Sequence, residues 1–272
     1  MSRANARFAL LALPALVVFL AFWLLPMARL VAVGASGPRG AAAYAAIVTD
    51  HNYLVSLVST VVLSLVVTFA TLVVSGMSGM FLQRNRFPGR DALVSLLTFP
   101  LAFPGVVVGF MVIMLAGRQG LIGKITDTLF GVNFVFAYSI AGLFLGYLYF
   151  SIPRVILTVM AAVDKLDWAL EEAARSLGAS GWQVLRDVIL PGLRPALISS
   201  GAICFATSMG AFGTAFTLAT NINVLPITIY TEFTNYANFS IAAALSIMLG
   251  LITWAALALA RTLAGSTVAA AA

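Results

Sequence analysis

Histidine and cysteine are almost missing from this chain, whose 272 residues hold one of each, His51 and Cys204. A single histidine leaves nothing for a histidine-based metal cluster or a Ser–His–Asp triad. A single cysteine rules out an internal disulfide, and Cys204, inside an apolar run, reads as a small core residue. Charge is scarce too, at 9% of residues where soluble domains carry roughly 25%. What remains is apolar: 62% hydrophobic residues and a mean hydropathy of +1.06. A soluble globule of this size cannot cover so much apolar surface, so lipid is the expected solvent. The net charge of +6 does not imply nucleic acid, because the basic residues lie between apolar runs, where they orient a chain in a membrane.

A spanning helix needs about 20 apolar residues. Runs at residues 8–33, 53–82, 91–116, 134–160, 193–219 and 240–261 qualify, spread evenly enough for a single transmembrane domain over 1–272. Arg3 and Arg7 precede the first run as they would in a signal peptide. The run exceeds the ~7–15 residues of a signal core, so it is read as an anchor and first span. Strand edges cannot satisfy their backbone in lipid, so the fold class is all-α membrane protein. With the N-terminus inside, Arg3, Arg7, Arg84, Arg86, Arg90, Lys165, Arg175, Arg186, Arg194 and Arg261 face the cytoplasm, and Arg154 lies near that end of the fourth span. Only Arg29, Arg39, Arg118 and Lys124 fall on the other side. This bias places both termini in the cytoplasm.

Prolines punctuate the spans: Pro14 and Pro26, Pro100 and Pro104, and Pro153. Broken backbone survives in a membrane where protein or a water-filled cavity satisfies the freed groups. Pro100, Phe103 and Pro104, beside Gly105, make the third span the best pore-lining candidate. In the fifth span the stretch CFATSMGAFGTAF offers Ser208, Met209 and Phe212 as a translocation lining with a gate; close packing through small residues is the competing reading. The Gly105/Gly109 and Gly142/Gly146 spacings point to packing within the chain. Segment 220–239, rich in Asn, Thr and Tyr, is an outer segment, with a solvated loop expected at Glu232 and a short helix as the alternative.

The most polar stretch, 164–192, lies between the fourth and fifth spans. Asp167 is a plausible N-cap, and Glu171 and Glu172 suit the first turns of a helix. Leu170, Ala173, Ala174 and Leu177 share one face. Gly178 is a stop signal, and Ser180 with Gln183 has capping-box spacing for a second helix. Trp182, Leu185 and Ile189 are its expected apolar side, with Pro191 and Pro195 ending it. An amphipathic helix of this kind ordinarily lies on the membrane surface. The acidic pair and the alanine-built face argue instead for docking a soluble protein.

Glu172-Ala173-Ala174, then Gly178, then Val188, Leu190 and Pro191 reproduce an EAA–G–(I/V)xLP signature. The chain thereby resembles the permease subunits of type I binding-protein-dependent ABC importers, the MetI-like fold of six transmembrane helices with a cytoplasmic coupling helix. The resemblance implies that Glu171, Glu172, Ala173, Ala174, Arg175 and Gly178 dock an ATP-binding subunit. It also implies a dimer of that subunit carrying ATP and Mg, a periplasmic substrate-binding protein, and a second permease subunit, with a heterodimer expected and a homodimer the alternative. The location implied is the bacterial inner membrane, with lipid around the chain.

The chain itself holds no cofactor site and is not expected to be an enzyme. Gly123-Lys124 lacks the first glycine of a phosphate-binding loop, and Ile125 stands where Ser or Thr belongs. The resemblance is nearest the branch serving polyamines, 2-aminoethylphosphonate, ferric iron and sulfate. A polyamine or 2-aminoethylphosphonate-type solute is the expected cargo, with ferric iron, sulfate or another small solute as alternatives. A secondary transporter is disfavoured because ion coupling uses ionisable residues within the spans.

Overall fold

The computed structural model describes residues 12–38, 40–218 and 222–264. Arg3, Arg7, Arg39, the first residues of the expected 8–33 span and the alanine-rich stretch after 264 lie outside the described residues. All regular structure among the described residues is helical. The helices are α1 (Ala12–Ala35), α2 (Ala42–Thr49), α3 (His51–Arg84), α4 (Arg90–Thr98), α5 (Gly105–Ala116), α6 (Leu121–Phe130) and α7 (Ile140–Asp164), followed by α8 (Trp168–Ser176), α9 (Gly181–Met209), α10 (Phe212–Leu218), α11 (Leu225–Thr234) and α12 (Phe239–Ala264). Among the described residues, six segments are long and apolar enough to cross a membrane: α1, α3, Gly105–Phe130, α7, α9 and α12. The Gly105–Phe130 segment is interrupted by the turn at 117–120.

The chain divides into two compact units, residues 1–56 with 228–250, and residues 57–227 with 251–272. The first is held by alanine-rich packing: Ala43, Ala46 and Ile47 of α2 and Ile241 to Leu245 of α12 are buried. Ser240 Oγ donates to Gly34 O at 2.9 Å, and Tyr44 OH to Val31 O at 3.0 Å. Glu232, expected on a solvated loop, instead lies on α11 and is buried. Its carboxylate accepts from Tyr53 OH at 2.8 Å and from Asn238 Nδ2 at 3.0 Å, which offsets its loss of water.

The second unit holds the larger core, with Val67, Val112, Leu143, Tyr147, Val159, Leu193 and Leu218 among its buried members. Here the buried face of α3 sets small hydroxyl residues beside Leu63 and Val67, and its outer face is apolar. Thr60, Ser64, Thr71 and Ser75 are buried on one face, while Val62, Leu65, Val66, Phe69, Val73 and Met77 are exposed. In lipid this is the sensible arrangement: apolar side chains gain nothing from hiding, whereas small ones let helices approach closely. Gly79 shows how close, since a Cβ there would sit 2.9 Å from Val159 Cγ1 and 3.2 Å from Ile156 O. The Gly105/Gly109 pair packs α5 against Thr214 and Thr217 of α10, an intramolecular use.

Three expected boundaries change. The third span is broken rather than kinked: α4 leads into a 3-10 turn at Phe99–Ala102, Phe103 and Pro104 are extended, and α5 begins afresh. Proline disfavours the helical conformation in the residue before it, and here Phe103 takes φ −96° and ψ 134°. The 117–133 connection carries α6, closed by Gly131 at φ +66°. The fifth span ends early at Met209, and α10 follows after Gly210 and Ala211.

Pro191 and Pro195 do not end a helix; α9 runs on through both. A π turn at Leu185–Ile189 stands two residues before Pro191, and another at Leu20–Leu24 stands two residues before Pro26. The wider turn makes room for a ring that lacks the N–H of a regular helix.

The close approach at Gly79 makes a measurable prediction. Gly79→Leu should lower the thermal midpoint in detergent, at a cost of about 1–3 kcal/mol for overpacking. Gly76→Leu should leave the midpoint unchanged, because no atom lies within 4 Å of a Cβ placed at that position.

Candidate coupling segment and transport cavity

The polar segment between α7 and α9 folds largely as its local signals specify. Asp167 Oδ1 accepts from Ala169 N at 2.9 Å and caps α8. Gly178 closes it with φ +86°, Gly178 N donating to Arg175 O at 2.9 Å and Ala179 N to Ala174 O at 3.0 Å. This is a Schellman closure, which puts a glycine where an L side chain would be strained. Ser180 and Gln183 then form a reciprocal capping box, and α9 starts at once. The inward side of that start is Val184 and Ile189, whereas Trp182, expected on the apolar side, is exposed.

The face of α8 carrying Leu170, Ala173 and Leu177 points away from the protein, with Leu177 89% exposed. Glu172, Arg175 and Gly178 are exposed as well, and Ala174 is half-buried. Glu171 differs from the other residues named for docking. It is buried, and its carboxylate is gripped by both Arg84 Nη atoms, with Nη1–Oε2 at 3.2 Å and a shorter Nη2–Oε1 bond. The same guanidinium lies over the Trp168 ring, 5.0 Å from its centre. Arg84 is the last residue of α3, where a cation suits the helix dipole.

Nearby contacts stiffen that corner: Gln83 Nε2 donates to Asp164 Oδ1 at 2.8 Å, and Arg90 Nε to Leu82 O at 2.6 Å. The ends of α3 and α7 and the start of α8 are thus tied by charged and polar side chains. A two-point Arg–carboxylate grip fixes orientation as well as distance.

A cavity of about 270 Å³ opens where the helix breaks meet. Its lining includes Pro100, Phe103 and Gly105 from the first break, Ala211, Gly213 and Thr214 from the second, Phe150 and Arg154 from α7, and Thr207 from α9. Each break is tied to a neighbouring helix by a side-chain hydrogen bond. Thr214 Oγ1 donates to Gly105 O at 2.9 Å, and Tyr147 OH donates to Ala211 O at 2.8 Å.

Of the residues expected to line a pathway, Pro100 and Phe103 border this cavity. Pro104 and Phe212 are exposed outside its lining. Ser208 and Met209 are completely buried, so they pack between helices instead. Sequence reasoning missed Arg154, placing it near a span end; α7 continues ten residues beyond it to Asp164, about 15 Å along the axis. The expected fourth span, 134–160, stopped four residues short of the end of the helix, which hid the depth. It also missed the Arg84–Glu171 pair, which no local spacing announces.

Membrane-length helices, interrupted around a half-open cavity, with an exposed helical arm between two of them, have the architecture of a transport permease. The chain belongs to the family described as binding-protein-dependent transport system inner membrane component, whose model matches residues 72–266. It is 35% identical over 206 residues to the molybdenum transport system permease protein ModB of Escherichia coli K12, covering 74% of this chain and 89% of that protein. It is 32% identical over 206 residues to the sulfate transport system permease protein CysW of Synechocystis, covering 73% and 74%. Against the chloroplastic sulfate permease 2 of Chlamydomonas reinhardtii it is 33% identical, covering 72% of this chain but only 54% of that longer protein. A chain of a bacterial alginate ABC transporter, solved in complex with an alginate pentasaccharide-bound periplasmic protein, shares the fold with a TM-score of 0.79 at 18% identity, covering 96% of this chain and 94% of that one. The protein is a multi-pass inner membrane ABC permease of the MetI-like fold.

The Arg84–Glu171 grip is testable by a double-mutant cycle. Arg84→Ala and Glu171→Ala should each destabilise the purified protein, and the double variant should be no worse than the poorer single. The resulting coupling energy, read from thermal unfolding in detergent, should be about 1–3 kcal/mol. Additive losses would mean that the two side chains act separately.

Proposed function

We propose that this chain is the transmembrane subunit of an ATP-driven importer of a small oxyanion, docked to its ATP-binding subunits through α8 and the turn at Gly178. The observation carrying the docking half is the exposed face of Leu170, Ala173 and Leu177, left without a partner on an arm whose other side is anchored through Glu171. In this reading Glu172, Ala173, Ala174, Arg175 and Gly178 meet the partner, and Glu171 holds the arm to the membrane domain. ATP and Mg belong to the partner, whose closure would carry the arm as a rigid body and switch the membrane helices between inward- and outward-facing states. A binding protein would deliver the cargo, and a second permease subunit, different from or identical to this one, would complete the pathway. Both termini would face the cytoplasm, on the side of α8.

The cargo half rests on relatives. ModB and CysW are named for molybdenum and sulfate, and the chloroplast protein for sulfate. None of these three is named for a polyamine or an aminophosphonate, so the sulfate side of the expected branch is the one supported. Sulfate and molybdate are tetrahedral oxyanions, which one pathway can serve.

Gly178 separates docking from folding. Its φ of +86° costs any L side chain about 1–2 kcal/mol, least for Asn, and no atom lies within 4 Å of a Cβ placed there. Gly178→Asn should therefore keep the ATP-binding subunit bound during purification in mild detergent. Gly178→Trp should lose it while eluting from size exclusion as folded permease. Equal retention by both variants would remove the docking assignment.

A further inference from the structure

Arg154 is the one charged residue bordering the cavity between the two helix breaks. A cation at this depth in a membrane helix is costly and ordinarily pairs with an acid. All nine acidic residues of the chain are among those described, yet the ion pairs present are Arg84–Glu171, Arg90–Asp91 and Arg186–Asp187. No carboxylate of the chain neutralises Arg154.

The rest of the lining offers an anion little competition or help. Phe103, Phe150, Pro100, Leu101, Ala211 and Gly213 bring no polar side-chain atom. The hydroxyl protons of Thr207 and Thr214 are already given to backbone carbonyls, at 2.9 Å to Ile203 O and 2.9 Å to Gly105 O. The guanidinium is thus the charged donor available to a passing solute, and its planar fork matches the oxygen pair of a tetrahedral oxyanion. The cavity volume, about 270 Å³, corresponds to about nine waters at ~30 Å³ each, room for such an anion with part of its hydration.

We propose that Arg154 is the transit contact for the anionic substrate, a single cationic station in the cavity where the α4–α5 and α9–α10 breaks meet. The proposal rests on the oxyanion reading above and gives it a residue. One guanidinium in an otherwise uncharged lining holds an anion loosely, as a pathway requires if the solute is to leave again. It also repels cations, which sets the sign of the cargo within the membrane.

The test uses the complete importer, with its ATP-binding subunit and binding protein, in proteoliposomes containing ATP. Uptake of radiolabelled sulfate and molybdate is measured beside ATPase activity. Arg154→Gln should lower uptake of the transported anion at least tenfold while the complex stays assembled and hydrolyses ATP, and Arg154→Lys should recover part of the uptake. Arg154→Cys in a Cys204→Ala background should be inactive, regain uptake after a cationic methanethiosulfonate reagent, and stay inactive after an anionic one.

Unchanged uptake by Arg154→Gln would overturn the proposal while leaving the oxyanion reading intact. Loss of assembly in both Arg154→Gln and Arg154→Lys would also overturn it, making Arg154 a contact between subunits. A wild-type importer that moves neither anion would sink the oxyanion reading, and this proposal with it.

Discussion

Lipid offers no hydrogen bonds, and the second unit is organised around that constraint. Every interruption of a membrane helix has to be repaired by another part of the chain. Pro104 and Gly210 create two interruptions, and Thr214 and Tyr147 reach across to the adjacent carbonyls of Gly105 and Ala211. Thr214 can do so because Gly105 and Gly146 leave no side chain in its way. The breaks are therefore not loose points. They are fixed, hydrogen-bonded corners, and the space between them is the cavity that Arg154 enters.

A second demand is mechanical. A device powered from outside the membrane needs an arm that is stiff on one side and free on the other. α8 meets both conditions. Glu171 is buried against Arg84, with Trp168 stacked under the same guanidinium, while Leu170 and Leu177 face outward. The turn at Gly178 and the capping box at Ser180 join the arm directly to α9, which runs without a stop past Thr207 of the cavity lining to Met209. In the proposed reading, movement of the arm would be delivered along this helix to the second break. The π turn at Leu185–Ile189 widens that helix just before Pro191.

Much of this was legible because much of it is local. Asp167, Gly178, Ser180 and Gln183 act on neighbours within a few residues, so their spacing alone located α8 and the start of α9. The apolar runs marked the membrane helices for the same reason. Contacts distant in sequence were not legible. Arg84 meets Glu171 across 87 positions, Thr214 meets Gly105 across 109, and Tyr53 meets Glu232 across 179. Glu232 consequently looked solvated, and Glu171 looked like a docking residue of the same kind as Glu172. Prolines announced disturbance but not its form: Pro104 broke a helix where Pro191 merely widened one. Ser208 and Met209 had the composition of a lining, yet which face of α9 is buried depends on α9's neighbours.

The central claim is that the segment from Asp167 to Pro191 is the contact through which ATP drives this permease. Site-specific crosslinking reads it most directly, because Cys204 is the only native thiol and is buried. Single cysteines would replace Glu172, Ala173 and, as an exposed control on α6 of the same unit, Phe130 in a Cys204→Ala background. Short thiol-reactive photocrosslinkers on the assembled importer should join positions 172 and 173 to the ATP-binding subunit and position 130 to none of it. Failure at 172 and 173, in a complex that still holds the ATP-binding subunit, would contradict the account and place the docking surface elsewhere.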